Sequence, residues 1–420
     1  MTSTVAPELR EKPVETAPPA PARWGALATN DFAKMLAVVL AWNVALIAVA
    51  WLFGPSTPAP PGRGIPESGI GSGASMLAHT YRWDSVWYGE IVQHGYNSGF
   101  EQVRAFYPVF PFAVWLVHTI SFGALGVITA GFLVNLVATW LAAVALLKIA
   151  RFYFSERASR LVVAAFLTAP TAYFLHSFYS EAIFCAIGFW AFLFALRRQW
   201  LWMGVLLIPL TATRITAAVF VGLCFLEFWR SKGWKPRGLL SWHLLWFPLA
   251  FLGLGAQLFY MKLQTGNAMA GFDPALMEKY WSYHQFNLNI IPNGLEVSKT
   301  AIHALIGDFP MTEWMLINKV LPFVGLALLF ASSVYVFVAL RAKGLPLALF
   351  GIASIVMLMV NSNVISVHRY LLPCLVMYIA LVLFGERHPR LRNGVHVVLY
   401  ANSLICGLLF VRFVAGSWTG

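Results

Sequence analysis

Charge is scarce in this sequence. Asp and Glu together number 17 and Lys and Arg 29, so charged residues make up 11% of the 420. A soluble domain of this size carries closer to ~25%. With 59% of the residues hydrophobic, no single aqueous core could hide the apolar surface. Lipid is the natural solvent, and a bundle of spanning helices satisfies the backbone there. The apolar runs are long, and short alternating ones are missing, which argues against a β-barrel. Cysteine is nearly absent. Cys185, Cys224, Cys374 and Cys406 all fall inside apolar runs, where they read as buried thiols, with neither a metal motif nor a disulfide framework. There is no Walker motif, no dinucleotide fingerprint and no nucleic-acid module. Nothing in the sequence supplies energy for a pump. Repeated halves, which a secondary transporter or lipid-linked sugar flippase would show, are not evident.

The basic residues are clustered. Lys148, Arg151, Arg157 and Arg160 form one group, and Arg197 with Arg198 a second. Arg230, Lys232, Lys235 and Arg237 follow, then Arg341 with Lys343, then Arg387, Arg390 and Arg392. Short clusters between spans are a topology signal, and they contact anionic membrane lipids rather than nucleic acid. With all of them in the cytoplasm, the chain is an all-α polytopic membrane protein of about eleven transmembrane helices. Residues 1–32 form a disordered cytoplasmic tail rich in Pro, Ala, Glu and Thr. Residues 33–414 form the membrane domain, with a first outer loop at 54–122 and a second at 262–312; residues 415–420 are an outer tail. Met76–Gln93 and residues 106–122 are expected as interfacial helices in the first loop, the competing reading of 106–122 being a span. Trp202–Leu226 is too short for two full spans. It reads as two broken helices meeting near Thr213–Thr216, with Arg214 at the outer side.

One stretch breaks the apolar pattern. His79–Tyr96, HTYRWDSVWYGEIVQHGY, continues into Ala105–Pro111, AFYPVFP. It sets Asp84 and Glu90 among aromatic residues beside the membrane, the composition of a reaction or binding site at the lipid–water boundary; an anchoring aromatic belt is the other reading. The topology gathers further polar groups on the same side: Glu181 after Tyr179 and Ser180, Arg214, His284, and His368 with Arg369. Arg82, His94 and Tyr107 join them as candidate substrate contacts. Such a set fits chemistry on a sugar, with aromatic rings over a sugar face, a carboxylate taking a proton from a sugar hydroxyl and a guanidinium able to hold a phosphate in a bidentate fork. Asp84 and Glu90 are six residues apart, fall on different helix faces, and do not form a symmetric pair. Each residue also has a structural reading: Asp84 and Glu181 as helix caps, Arg214 and Arg369 as snorkelling side chains.

RWDSVWYGEIVQHGY followed by AFYPVFP resembles the signature of the PIG-V-type mannosyltransferases, which include the GPI mannosyltransferase II enzymes and their bacterial relatives. APTAYFLHSFYSEAIF at 169–184, TATRITA at 211–217, TGNAMAGF at 265–272 and HRYLLPCLVMY at 368–378 are similar to further motifs of that family, in the expected order. The resemblance implies a GT-C type helical bundle. It implies a polyprenyl- or dolichyl-phosphate-mannose donor and a glycolipid or lipid-linked glycan acceptor, with a phosphatidylinositol mannoside among the candidates. It assigns Asp84 the role of general base and matches Glu181 and Arg369 to polar positions of the family motifs. The sequence departs from the pattern at His368 and at Ile215, which follows Arg214. No metal site and no required cofactor are implied, because the donor carries one phosphate; a divalent cation, Mg2+ or Mn2+, is left open. The expected location is the plasma membrane with the site facing the periplasm or outside, or the endoplasmic reticulum membrane in a eukaryote.

Overall fold

The structure is a computed structural model that describes residues 24–53, 77–281, 289–360, 364 and 366–420. Helices and connecting turns make up the whole of it, and no strand occurs among the described residues. In chain order the helices are α1 (Trp24–Phe53), α2 (Ser85–His94), α3 (Val109–Ile120), α4 (Val127–Ala150), α5 (Glu156–Leu167) and α6 (Glu181–Leu196). Next come α7 (Trp200–Thr211), α8 (Ala217–Ser231), α9 (Trp246–Leu249), α10 (Leu252–Thr265), α11 (Pro274–Trp281) and α12 (Ile290–Leu305). The last six are α13 (Glu313–Met315), α14 (Leu321–Leu340), α15 (Leu345–Met359), α16 (Val367–Tyr370), α17 (Leu375–Arg387) and α18 (Arg392–Val414). Five segments among the described residues are long and apolar enough to cross a membrane: Asn30–Phe53, Val127–Ala150, Trp242–Thr265, Glu313–Lys343 and Pro389–Val414. Shorter apolar helices, α3, α6, α7 and α15, complete the bundle.

The centre is α4 packed along α6. Small residues allow the close approach. Ala138, Ala142, Ala143 and Ala145 on α4 and Ala182, Ala186, Ala191 and Ala195 on α6 are buried, so the two backbones meet with little side chain between them. A tighter contact joins α7 and α10. A Cβ on Gly253 would stand 1.8 Å from the carbonyl oxygen of Ile208, so only glycine fits at that crossing.

The basic clusters share one end of the bundle. Arg151 at the end of α4 pairs with Asp31 on α1 at 2.5 Å and with Glu156 on α5 at 2.7 Å. The Lys343 ammonium donates to the carbonyl of Phe152 at 2.6 Å, and Arg387 reaches the carbonyl of Ala339. The opposite ends of α6, α8, α15, α17 and α18 converge on the segment around Asp84.

Three expectations are corrected. α1 begins at Trp24 rather than at Ala33. Met76–Gln93 is no amphipathic helix lying on a surface: α2 begins at Ser85, and Val86, Tyr88, Glu90, Ile91 and Val92 are all buried, so it is a wedge inside the bundle. Residues 415–420 do not trail away, since Thr419 and Gly420 are buried against the wall of the site. α3 has 12 residues. At 1.5 Å each it is ~18 Å long, too short for the ~30 Å hydrocarbon core, which favours the interfacial reading of 106–122 over the span. α7 and α8 are the two short helices expected from Trp202–Leu226, and Arg214 stands between them.

Candidate active site

Asp84 occupies the residue before α2, yet its side chain makes no bond to the helix amides. The carboxylate turns inward instead. Arg369 Nη1 donates to Asp84 Oδ2 at 3.0 Å, with the two side chains 5% and 12% exposed. The capping and snorkelling readings of these residues therefore both give way to a buried pair. Behind it lies Glu181, fully buried at the start of α6. Arg214 and Arg369 both reach Glu181 Oε1, the Arg369 Nε contact at 3.0 Å being an ion pair whose angle lies outside hydrogen-bonding geometry. Two guanidiniums are thus held by one carboxylate, and the second also holds Asp84. Tyr370 completes the cluster: its hydroxyl accepts from Arg369 Nη2 at 3.0 Å, and its ring lies 4.9 Å from the Arg369 guanidinium and 5.3 Å from that of Arg214.

The local sequence explains why these groups meet. The segment 171–180 turns through a short 3-10 helix after α5. Phe178 N–H donates to the carbonyl of Thr80 at 3.0 Å, and the Tyr179 hydroxyl donates to that of Arg82 at 3.0 Å. Asn135 on α4 binds the carbonyls of Ser177 and Tyr179. Ser180 Oγ accepts from Arg214 at 2.9 and 3.1 Å and lies 2.9 Å from the Tyr88 hydroxyl. The backbone is strained on both sides: Trp83, just before Asp84, and Ser366, just before α16, have φ of 54° and 65°. Non-glycine residues visit this region at a cost of ~1–2 kcal/mol each, and such strain collects at functional sites.

A cavity of about 230 Å³ opens over the pair. Asp84, Tyr88, Tyr107, Arg214, Arg369 and Tyr370 line it. The 106–107, 271–272 and 281 positions add Phe106, Phe272 and Trp281. The Tyr107 hydroxyl is buried without a hydrogen-bond partner. Burial raises the Asp84 carboxyl above the usual carboxylate range, and the Arg369 guanidinium opposes it.

Of the residues singled out from sequence, the structure brings Asp84, Tyr107, Arg214 and Arg369 to the cavity and Glu181 directly behind it. It does not bring the rest. Arg82 is a brace, donating to the carbonyls of Ala78, Tyr81 and Val414 at 2.9, 3.0 and 3.2 Å. Glu90 is buried in α2 away from the cavity wall, and His94 is exposed at the end of that helix. His368 is buried beside Arg369 without lining the cavity, its Nε2 2.8 Å from the Thr419 carbonyl. His284 lies outside the described residues. Sequence reasoning missed Ser180 as a brace, although it stands inside a quoted motif. It also missed Trp418, which lines the cavity from beyond the last helix. Among the described residues no group of three or more His, Cys, Asp or Glu side chains is arranged to hold a metal.

Residues 66–235 match the mannosyltransferase (PIG-V) family model. The resemblance carried by RWDSVWYGEIVQHGY is shown over that stretch, which contains Asp84, Tyr107, Glu181 and Arg214. A solved Archaeoglobus fulgidus oligosaccharyltransferase, in complex with Zn and sulfate, is similar in fold, with a TM-score of 0.51 at 13% identity, covering 92% of this chain and 53% of that one. Its apo form gives a TM-score of 0.46 at 10% identity, covering 91% and 56%. The chain spans about half the length of these solved proteins. At that identity the likeness speaks for the fold alone, an all-α multi-span helical bundle. No curated protein matches the chain. The PIG-V match over that stretch and the long apolar helices support a multi-pass membrane protein.

Proposed function

We propose that this protein transfers mannose from a polyprenyl-phosphate donor to a hydroxyl of a glycolipid or lipid-linked glycan, with inversion, on the non-cytoplasmic face of the membrane. The observation that carries the reading is one carboxylate, Asp84, sharing a cavity with two buried guanidiniums, Arg214 and Arg369. Asp84 takes the proton of the attacking hydroxyl as the new C1–O bond forms. The bond from C1 to the phosphate oxygen breaks on the opposite face. The polyprenyl phosphate leaves with the bonding pair, and the two guanidiniums receive its growing negative charge. Glu181 keeps both arginines aimed. Because Asp84 and Glu181 are each matched by guanidinium, the donor set suits an anion rather than a divalent cation, and the proposal uses no metal. The basic helix ends, read as cytoplasmic, lie opposite the cavity and support a site facing outward. A plasma membrane, with anionic lipids against the basic end, fits this orientation; in a eukaryote it is the endoplasmic reticulum membrane.

Purified protein given radiolabelled polyprenyl-phosphate mannose and a lipid extract is expected to yield labelled lipid. GDP-mannose is expected to serve only when a synthase for the lipid donor is added. Direct transfer from GDP-mannose by the pure protein would reject the lipid-donor mechanism, and movement of the intact donor across vesicles without transfer would make the protein a flippase.

A further inference from the structure

We infer that the segment Ala415–Gly420 is a working wall of the site, and that Trp418 is a contact for the phosphate-sugar end of the donor. The inference rests on the transfer reaction proposed above and adds a residue that neither the motifs nor the PIG-V match, which ends at residue 235, contains.

The segment is stitched to both strained stretches that carry the site. From the Asp84 side, Arg82 Nε donates to the Val414 carbonyl at 3.2 Å and Trp83 Nε1 to the Ser417 carbonyl at 3.1 Å. From the Arg369 side, His368 Nε2 lies 2.8 Å from the Thr419 carbonyl, and Arg369 Nη1 donates to the Gly420 carbonyl at 3.2 Å. That same Nη1 holds Asp84 Oδ2 at 3.0 Å. Thr419 is fully buried, and its hydroxyl bonds the Tyr173 hydroxyl at 2.8 Å. These contacts leave one side chain turned toward open space. Trp418 packs edge-on against Trp83, with ring centroids 5.2 Å apart, and lines the cavity beside Asp84 and Arg369. An indole is a broad, rigid apolar face with one polar edge. A hexose offers a matching face of C–H groups, and its phosphate offers charge to the neighbouring guanidinium. Trp418 is half-buried, and the part of its ring left open faces the cavity beside the Asp84–Arg369 pair.

The test uses the full chain with Trp418→Ala, Trp418→Phe and Trp418→Cys. Trp418→Ala is expected to raise KM for polyprenyl-phosphate mannose by about tenfold, the order of a single aromatic contact, while kcat changes much less. Trp418→Phe should recover most of the loss. A purely structural role would instead lower the yield of active protein without this split. The four native cysteines are buried, so the thiol of Trp418→Cys can be alkylated selectively. Polyprenyl phosphate or its mannosyl form should slow that alkylation, and the lipid alcohol without phosphate should not. Unchanged KM in Trp418→Ala together with alkylation that ignores the donor would overturn the inference. If the unaltered protein transfers no mannose, the proposed function fails, and the alkylation arm still decides whether Trp418 meets the phosphate-bearing lipid.

Discussion

Asp84 and Arg369 carry opposite demands within 3.0 Å of each other. In the proposed reaction Asp84 accepts a proton, while the Arg369 guanidinium must be free to meet the phosphate. Burial raises the Asp84 carboxyl and Arg369 pulls it back. The acidic limb of the pH–rate profile should therefore lie above the ordinary aspartate value of about 3.9, with rate lost as pH falls through it. Arg369→Ala removes the opposing charge, so its limb should move to still higher pH while donor binding weakens. A profile whose limb stays in place would separate the two residues functionally. The effect on stability has the other sign. The folded state binds this proton more tightly than the unfolded chain, so the contribution is favourable below the ordinary carboxylate value and is lost as pH rises through the folded one. Glu181 answers to a different rule. Removing it leaves Arg214 without a carboxylate and Arg369 with Asp84 alone, and breaking a buried pair in this way costs about 3–5 kcal/mol. Glu181→Gln should reduce the folded fraction, measured by thermal unfolding in detergent, as well as the rate. Asp84, Arg214 and Arg369 were legible in the sequence because charge is rare there. Glu90 and His94 were equally rare but sit on other faces of α2, and facing is a property of packing that one sequence does not display.

Among the elements, length and hydropathy made the long helices plain, and the Thr213–Thr216 break was readable because the run was too short for two spans. α2 was not readable in the same way. Its polar residues suggested a surface helix, but Tyr88 meets Ser180 of the 171–180 turn and Asp84, just before the helix, meets Arg369 of α16, partners that lie far away in sequence. The burial of 415–420 escaped for a related reason: six residues beyond the last apolar run carry no periodicity. The α7–α10 crossing is another long-range fact. Gly253→Ala would drive a methyl into the Ile208 carbonyl, and overpacking of this kind costs roughly 1–3 kcal/mol. The expected result is a lower thermal midpoint with a donor KM close to that of the unaltered protein, because the crossing stands outside the cavity wall. A variant of normal stability would show that the two helices separate easily.

The whole molecule has a single direction, with basic helix ends on one side and the cavity over Asp84 on the other. Cysteines placed at the exposed positions Asn97 and Ala275 should react with an impermeant reagent from outside the cell, and those at Ser155 and Lys235 should not. The reverse pattern would put the cavity in the cytoplasm. That experiment fixes where the chemistry occurs; whether Asp84 performs it is more central. The decisive measurement compares Asp84→Asn with the unaltered protein, in the lipid-donor transfer assay and in donor binding on the same folded preparations. Asparagine keeps the shape and loses the proton acceptor. The account predicts a transfer rate lower by about 10²–10⁴-fold, with donor affinity changed far less. A rate near that of the unaltered protein would contradict it, and Asp84 would not be the base.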